Sequence, residues 1–368
     1  MRILHIINSL ATGGAEKLIV ETIPLYAEQG LTADVLLLNG TRYPLYDELE
    51  AVKCTTIYSL GTGSVYNPAH IGKIIPFLKK YDLIHVHLFP AQYFAIAAKR
   101  LSFSKKPFVF TEHSTSNRRF SNKKYKLADR IIYNSYNRIV CITDKVKAAV
   151  AQQTGMRVEK LPVIENGINL ATINNAQSYS RAALSSYLTL NLSEKDYLIM
   201  QVSSFQEPKD QPTVIHSLQH LAKHVKLLLA GDGILKQNCE ALVQELGLEN
   251  RVFFLGLRQD IPSLLKSVDV IVLSSKYEGL SLSSIEGMAS GKPFIASDVP
   301  GLSEVVGGAG ILFALGDDHQ LAAEIMKLLN NKDHYAEVSR KCQERARQYD
   351  INKMVDQHIE LYKKLVSK

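Results

Sequence analysis

Two glutamates, Glu278 and Glu286, stand eight positions apart in the run Ser274-Ser275-Lys276-Tyr277-Glu278-Gly279-Leu280-Ser281-Leu282-Ser283-Ser284-Ile285-Glu286-Gly287, directly after the apolar residues 268–273. A buried strand that ends in a loop of small residues and passes into a helix leaves that helix's first N–H groups unpaired and partly positive, a setting for phosphate or pyrophosphate. Glu286 is expected in the first turn of the helix, accepting from a vicinal diol such as a ribose. Glu278, on the loop before it, would reach a second hydroxyl-bearing group farther out. The pair suits the sugars at the two ends of a nucleotide diphosphate sugar. The same letters also read as a capping box, Ser283-x-x-Glu286, in which Glu286 serves only its own helix start.

Other residues could join this chemistry. Gly13-Gly14 follows the first apolar run and suits either a tight turn or a close backbone approach to a ligand. His113 ends Thr111-Glu112-His113 after another apolar run, where a packed local role competes with a functional one. Lys209 lies in Val202-Ser203-Ser204-Phe205-Gln206-Glu207-Pro208-Lys209-Asp210, and Arg258 in Leu255-Gly256-Leu257-Arg258-Gln259-Asp260. No D-x-D triplet occurs, and Cys54, Cys141, Cys239 and Cys342 lie far apart without metal-ligand spacing, so free thiols and a metal-independent site are expected.

These residues need elements to hold them. Short apolar runs alternate with amphipathic stretches, a β-α-β-α rhythm that favours parallel sheets covered by helices. The first half places strands at 3–7, 33–38, 83–87, 107–111, 138–143 and 158–164, with helices at 15–29, 69–80, 93–100 and 144–154. The rhythm restarts with strands at 198–203, 225–230, 252–255, 268–273, 293–296 and 310–313, and helices at 211–223, 235–246, 261–267 and 282–290. The polar stretch 169–193, after Glu165-Asn166-Gly167, reads as the junction. At 368 residues the chain is long enough for two domains. A doubly wound pair would set the carboxyl ends of two parallel sheets across a cleft.

The net charge of +7 is uneven. Residues 1–170 carry 22 Lys and Arg against 13 Asp and Glu, and residues 171–368 carry 21 against 23. The excess gathers at 99–147, including Lys105, Lys106, Arg118, Arg119, Lys123, Lys124, Lys126 and Arg130, and suits either a solvated face or an anionic partner. The apolar run at the N-terminus is too short for a signal peptide, and no stretch approaches a bilayer span. A cytoplasmic protein is expected, at most peripheral to the membrane.

Glu278 and Glu286 with seven residues between them, followed by Met288-Ala289-Ser290-Gly291-Lys292-Pro293 and Gly301-Leu302-Ser303-Glu304, resemble the E-x7-E region of glycosyltransferase family 4, the retaining GT-B enzymes (glycosyl transferases group 1). Gly13-Gly14-Ala15-Glu16, Thr111-Glu112-His113, Asn166-Gly167, Gly231-Asp232-Gly233 and 255–260 extend the resemblance over nearly the whole chain. It implies an α/β GT-B fold of two Rossmann-like doubly wound domains: an acceptor domain at 1–170, with the last helix at 351–368 packing back on it, and a nucleotide-sugar domain at 180–350. It further implies Glu286 on the donor ribose and Glu278 on the donor sugar. The backbone N–H groups of Gly279, Leu280, Ser281, Leu282 and Ser283 would lie on the sugar hydroxyls and pyrophosphate. Gly13 and Gly14 would lie against the diphosphate, His113 beside the transferred sugar, Arg258 beside the nucleobase and Lys209 on the leaving group.

One position departs from the pattern. Ser204 stands where the family has an arginine that partners the lysine, so another cation, such as Arg118 or Arg119, is expected to replace it or donor use to be slow or altered.

The resemblance implies a retaining hexosyl or N-acetylhexosaminyl transfer from a nucleotide diphosphate sugar, a UDP-sugar favoured, with no cofactor. The acceptor would be a glycan or polyprenyl-diphosphate-linked sugar in cell-surface polysaccharide, capsule or lipopolysaccharide assembly, and the basic stretch would meet an anionic membrane. Nucleic acid is not an expected partner. Two alternatives stay open: a sugar-nucleotide 2-epimerase of the same fold, and a non-catalytic subunit of a glycosyltransferase pair, which Ser204 motivates. A dinucleotide oxidoreductase is disfavoured, because no G-x-G-x-x-G follows the first strand.

Overall fold

The computed structural model of the protein describes residues 1–11, 13–113 and 123–367. The chain divides into two compact units, Met1–Gly167 with Ile351–Lys368, and Ile168–Asp350.

The first unit is built on a parallel six-stranded sheet of order β3-β2-β1-β4-β5-β6. Its strands are β1 (Arg2–Ile7), β2 (Thr32–Leu37), β3 (Ile57–Ser59), β4 (Leu83–His87), β5 (Phe108–Glu112) and β6 (Arg138–Cys141). β4 and β5 are buried along their whole length, as expected of strands covered on both faces. Residues 158–164 do not form a strand: Val158–Lys160 is a 3₁₀ turn and only Val163 bridges to Cys141. Pro162 has no N–H to give to a ladder, which limits pairing there. The opposite edge of the sheet carries the short β3, in a segment with little apolar patterning.

The second unit repeats the plan in the order β12-β11-β10-β7-β8-β9, again all parallel. Its strands are β7 (Tyr197–Val202), β8 (Val225–Ala230), β9 (Val252–Gly256), β10 (Val270–Leu273), β11 (Phe294–Ser297) and β12 (Ile311–Phe313). The stretch 169–193 carries two helices, Leu170–Asn175 and Arg181–Leu188, each started by a side-chain cap from Asn169 or Ser180. Lys266 Nζ donates to the carbonyls of Asn174 and Ala176, and Tyr179 N donates to Ser267 Oγ, so this segment is fastened to the second unit.

In each sheet the chain first winds one way and then the other. The reversal falls between β1 and β4 in the first unit and between β7 and β10 in the second. Loops leaving adjacent strands at such a point diverge and open a crevice at the carboxyl edge, where doubly wound sheets take ligands.

The last helix, Ile351–Val366, belongs to the first unit. Ile351, Met354, Val355, His358, Ile359 and Tyr362 are buried, a spacing that lines one helical face. The Tyr362 hydroxyl lies 2.6 Å from His85 Nδ1 and 3.4 Å from that of Tyr26, and Gln29 Nε2 donates to Asp356 at 2.7 Å.

Candidate active site

The switch point of the second sheet brings together the loop after β7 and the loop after β10. Lys209 ends a 3₁₀ turn, Glu207–Lys209, and its Nζ donates to Glu278 Oε1 at 2.5 Å. The Ser275 hydroxyl donates to the same carboxylate oxygen at 2.7 Å. Both side chains are largely withdrawn from water, at 23% exposure for Lys209 and 10% for Glu278, so the pair is one of the better shielded ion pairs among the described residues.

Beneath it the loops are tied by side chains that sequence reasoning did not single out. Gln201 Nε2 donates to the Lys209 carbonyl at 2.9 Å, and Ser274 Oγ lies 2.8 Å from the Asp210 carbonyl. Lys276 N donates to the Pro208 carbonyl. Asp210, with φ 47°, ends the turn in the left-handed region, and burial raises its carboxyl above the usual range.

Two glycines let neighbouring loops close on this pair. A Cβ on Gly301, where φ is +93°, would come 2.2 Å from the Glu278 carbonyl and 2.5 Å from that of Gly279. A Cβ on Gly231, at φ +139°, would come 2.1 Å from the Ser203 carbonyl. Both positions demand glycine, one through the Glu278 loop and the other through the loop that leads to Lys209.

The helix after β10 runs Leu282–Ala289. Its N-cap is Ser281, whose Oγ accepts from Ser284 N at 3.3 Å. Ser283 is therefore inside the helix, and the capping box Ser283-x-x-Glu286 is not formed. Glu286 also lies beyond the first turn, where it was expected, at the fifth helical position. It is buried at 8% exposure. Gly287 beside it permits the helix to press on the sheet, since a Cβ there would meet the Phe294 ring at 2.6 Å. Gly279, Leu280, Ser281, Leu282 and Ser283 form the approach and first turn of this helix, whose leading N–H groups face no helical acceptor.

Arg258 follows β9, three strand spacings from β10, roughly 14 Å along the sheet. Its guanidinium donates to both oxygens of Asp260 at 2.8 and 2.9 Å and to Tyr187 Oη at 2.6 Å. It forms part of the wall of a cavity of about 420 Å³ with Tyr187, Leu190, Phe254 and Leu255. Arg258 is thus on the same sheet edge as Glu278 but is not joined to it.

Gly13, Gly14 and His113 belong to the first unit. Gly13 caps the helix Gly14–Glu28 in extended conformation without a side-chain cap. The Glu16 carboxylate would lie 2.3 Å from a Cβ on Gly13, and burial raises its affinity for a proton. His113 follows β5, and burial pushes its ring down to about 4. Its Nε2 lies 3.4 Å from His87 Nδ1.

Ser204 carries no charge, and its carbonyl accepts from Gln211 Nε2 at 2.9 Å. The suggested replacements, Arg118 and Arg119, lie outside the described residues. Lys276, overlooked although it stands two positions before Glu278, is a cation of the same loop pair. It donates to Glu207 Oε1 at 2.6 Å, and that contact raises its pKa. In the basic stretch, Lys99 is turned inward, its Nζ donating to the Ser135 carbonyl at 3.1 Å, while Arg100, Lys105, Lys126, Arg130 and Lys145 are exposed. Among the described residues no helix is long and apolar enough to cross a membrane.

Residues 12–172 match the family described as Glycosyltransferase Family 4, and residues 189–349 match that described as Glycosyl transferases group 1. The chain is 31% identical over 176 residues to the N-acetyl-alpha-D-glucosaminyl L-malate synthase of Bacillus anthracis, and spans about half of that relative, 46% of each chain being aligned. It is 24% identical over 297 residues to the UDP-Gal:alpha-D-GlcNAc-diphosphoundecaprenol alpha-1,3-galactosyltransferase of Escherichia coli, over 77% of this chain and 76% of that one. The crystal structure of Anabaena HepE in complex with UDP and glucose superposes with a TM-score of 0.85, covering 99% of this chain and 100% of that one at 24% identity.

Two parallel six-stranded sheets, each wound both ways from a central switch point, define the α/β GT-B fold of glycosyltransferases. The chain belongs to glycosyltransferase family 4, the glycosyl transferases group 1.

Proposed function

We propose that this glycosyltransferase moves a hexosyl or N-acetylhexosaminyl group from a nucleotide diphosphate sugar, a UDP-sugar by preference, to a glycan or polyprenyl-diphosphate-linked acceptor, with retention of anomeric configuration. The observation that carries the reading is the Lys209–Glu278 ion pair at the switch point, beside a helix that carries Glu286 and whose first N–H groups have no helical acceptor, Ser281 capping only that of Ser284.

A diphosphate on that helix start would draw Lys209 to the leaving group, and Glu278, released from it, would meet the donor sugar. Glu286 would take the ribose. Charge developing on the departing diphosphate is the largest electrostatic demand of such a transfer, and a lysine with oriented N–H groups answers it without a metal or cofactor. His113, Gly13 and Gly14 are assigned to the same donor, and Arg258 to its base, from the family resemblance. Lys276 is offered as the cation that compensates Ser204.

The names of relatives support the donor and acceptor classes: the E. coli relative is named for UDP-Gal and a diphosphoundecaprenol acceptor, and the HepE structure holds UDP and glucose. The exposed cations of 99–147 are assigned to an anionic membrane bearing such an acceptor, in polysaccharide assembly at the cytoplasmic face. Binding to liposomes with anionic lipid at low salt is expected, and its absence would remove this part of the reading.

A panel of UDP-, GDP- and ADP-sugars tests the whole. Slow hydrolysis of a UDP-sugar in the presence of a chelator is the expected result. Interconverted donor without acceptor would favour the 2-epimerase. No turnover with any donor, together with stable association with a second chain, would favour the non-catalytic subunit that Ser204 motivates.

A further inference from the structure

The first sheet contains a line of histidines that the site described above does not use. His5 stands in the middle of β1, and His85 and His87 alternate onto one face of the neighbouring β4, with His5 in register with His85. All three are buried, at 2%, 1% and 6% exposure. His5 Nδ1 lies 3.1 Å from His87 Nε2, and His87 Nδ1 lies 3.4 Å from His113 Nε2. The rings of His5 and His87 are stacked 5.4 Å apart, and those of His87 and His113 are 5.8 Å apart. A hydrogen-bonded wire therefore runs from the core of β1, across β4, to the residue after β5.

The three core rings also bring one nitrogen each within 4.8 Å of one another, near enough for a cation. Their chemistry does not suit one. Both nitrogens of His85 are already engaged, by Tyr362 Oη at 2.6 Å and Thr111 Oγ1 at 2.7 Å. The titratable groups that act on the three rings are other histidines, and no carboxylate among the described residues balances a divalent charge there.

The direction of the wire follows from counting hydrogens. A neutral imidazole carries one N–H, and its other nitrogen can only accept. His5 Nε2 is buried and has no hydrogen-bond partner among the described residues. A hydrogen placed there would be an orphaned buried donor, which proteins avoid more strictly than an orphaned acceptor. The His5 hydrogen accordingly sits on Nδ1 and is donated to His87 Nε2. His87 must then carry its own hydrogen on Nδ1, donated to His113 Nε2. His113 is left with its hydrogen on Nδ1.

We propose that His5 and His87 are positioning residues that fix the tautomer of His113, so that its ring meets the substrate as an Nδ1–H donor to a sugar or phosphate oxygen and does not serve as a base. The role of that donor in transfer rests on the function proposed above; the tautomer itself does not.

The experiment is long-range 1H–15N correlation on the full chain labelled with 15N-histidine, at neutral pH and without ligand, with the His113 signals identified by their loss in His113→Asn. The Nδ1–H pattern is expected for His113 in the native protein, and the Nε2–H pattern would overturn the proposal. In His5→Leu, which removes the donor to His87, the Nδ1–H signature of His113 is expected to give way to a mixture. In His5→Asn, whose side-chain N–H falls near the position of Nδ1, the signature is expected to return. An unchanged His113 in folded His5→Leu would overturn the wire, and if that variant does not fold the native spectrum alone decides. Turnover of a UDP-sugar is expected to fall about tenfold or more in His5→Leu with donor KM little changed, and to recover in His5→Asn. Unchanged turnover alongside a changed tautomer would overturn the positioning role. An Nδ1–H His113 in a protein that turns over no donor would instead count against the transfer reading.

Discussion

Lys209 and Glu278 neutralise each other in a partly dry setting, so each is held ready for a partner of higher charge. A diphosphate would offer Lys209 more negative charge than one carboxylate does, and the proposed exchange would leave Glu278 to the donor sugar with Ser275, now 2.7 Å from its oxygen, still in place. Glu278→Gln keeps a group of the same shape that can still accept from Ser275. Its turnover of a UDP-sugar is expected to fall by roughly a hundredfold, the scale of one lost electrostatic contact in a transition state, while calorimetric donor affinity changes little. Equal turnover in the variant would remove Glu278 from the reaction. Glu286 is different in kind, since it sits on the helix behind the loop and is assigned to the ribose. Glu286→Ala is expected to weaken UDP itself by roughly ten- to a hundredfold, matching about 1.5–3 kcal/mol for hydrogen bonds to a charged acceptor. Titration calorimetry with UDP checks this, and unchanged affinity would refute the assignment.

Between residues and molecule stand the elements that aim them. The Glu278 loop is shaped by Gly301, whose α-carbon faces two carbonyls of that loop too closely for any side chain. Gly301→Ala is expected to cost roughly 1–3 kcal/mol through a positive φ and a displaced loop, and to lower turnover as well. A denaturation midpoint and a kcat both equal to those of the native protein would contradict this. The same level explains what the sequence could reveal. Strand β10 was legible because a strand buried on both faces is written as an unbroken apolar run, and β4, β7 and β8 because only His85 and His87, Gln201 and Lys226 interrupt theirs. Ile57–Ser59 was not legible, because a three-residue edge strand needs only its neighbour's hydrogen bonds. The helices Leu170–Asn175 and Arg181–Leu188 were hidden by a composition of Asn, Ser, Ala and Thr that reads as a linker, although Asn169 and Ser180 are ordinary caps. The E-x7-E spacing and the helix start at residue 282 were both visible, yet Ser283-x-x-Glu286 imitates a capping box, and counting from the observed start puts Glu286 at the fifth helical position and not in the first turn. The Gln201 and Ser274 contacts under Lys209 had no signal in the sequence, because they join β7 to β10 across the point where the winding reverses.

At the scale of the whole molecule the two units differ in how they should respond to acid. The first unit buries His5, His85, His87 and His358, with His113 at the end of the line and the hydroxyls of Tyr26 and Tyr362 against them. Burial lowers His5 to about 3 and His113 and His358 to about 4, and takes His85 and His87 well below the ordinary value, to which neighbouring histidines add. The unfolded chain titrates near pH 6.5, so below that pH it binds protons that the folded unit refuses, and stability falls as pH falls. Each histidine that stays neutral lowers stability by about 1.4 kcal/mol per pH unit from about 6.5 down towards its folded value. The transition of the first unit is therefore expected to drop in temperature between pH 7 and pH 5 by more than that of the second. Calorimetry across that range checks it, and a first-unit transition insensitive to pH would contradict the neutral cluster.

If the Lys209–Glu278 pair at the second switch point works on a nucleotide sugar by retention, the anomer first released reports it. The most direct measurement is time-resolved 1H NMR of the sugar released when the protein slowly hydrolyses a UDP-hexose, read before the free sugar mutarotates. The first-formed anomer is expected to match the anomer of the donor. Release of the opposite anomer, or no release from any UDP-sugar, would contradict it.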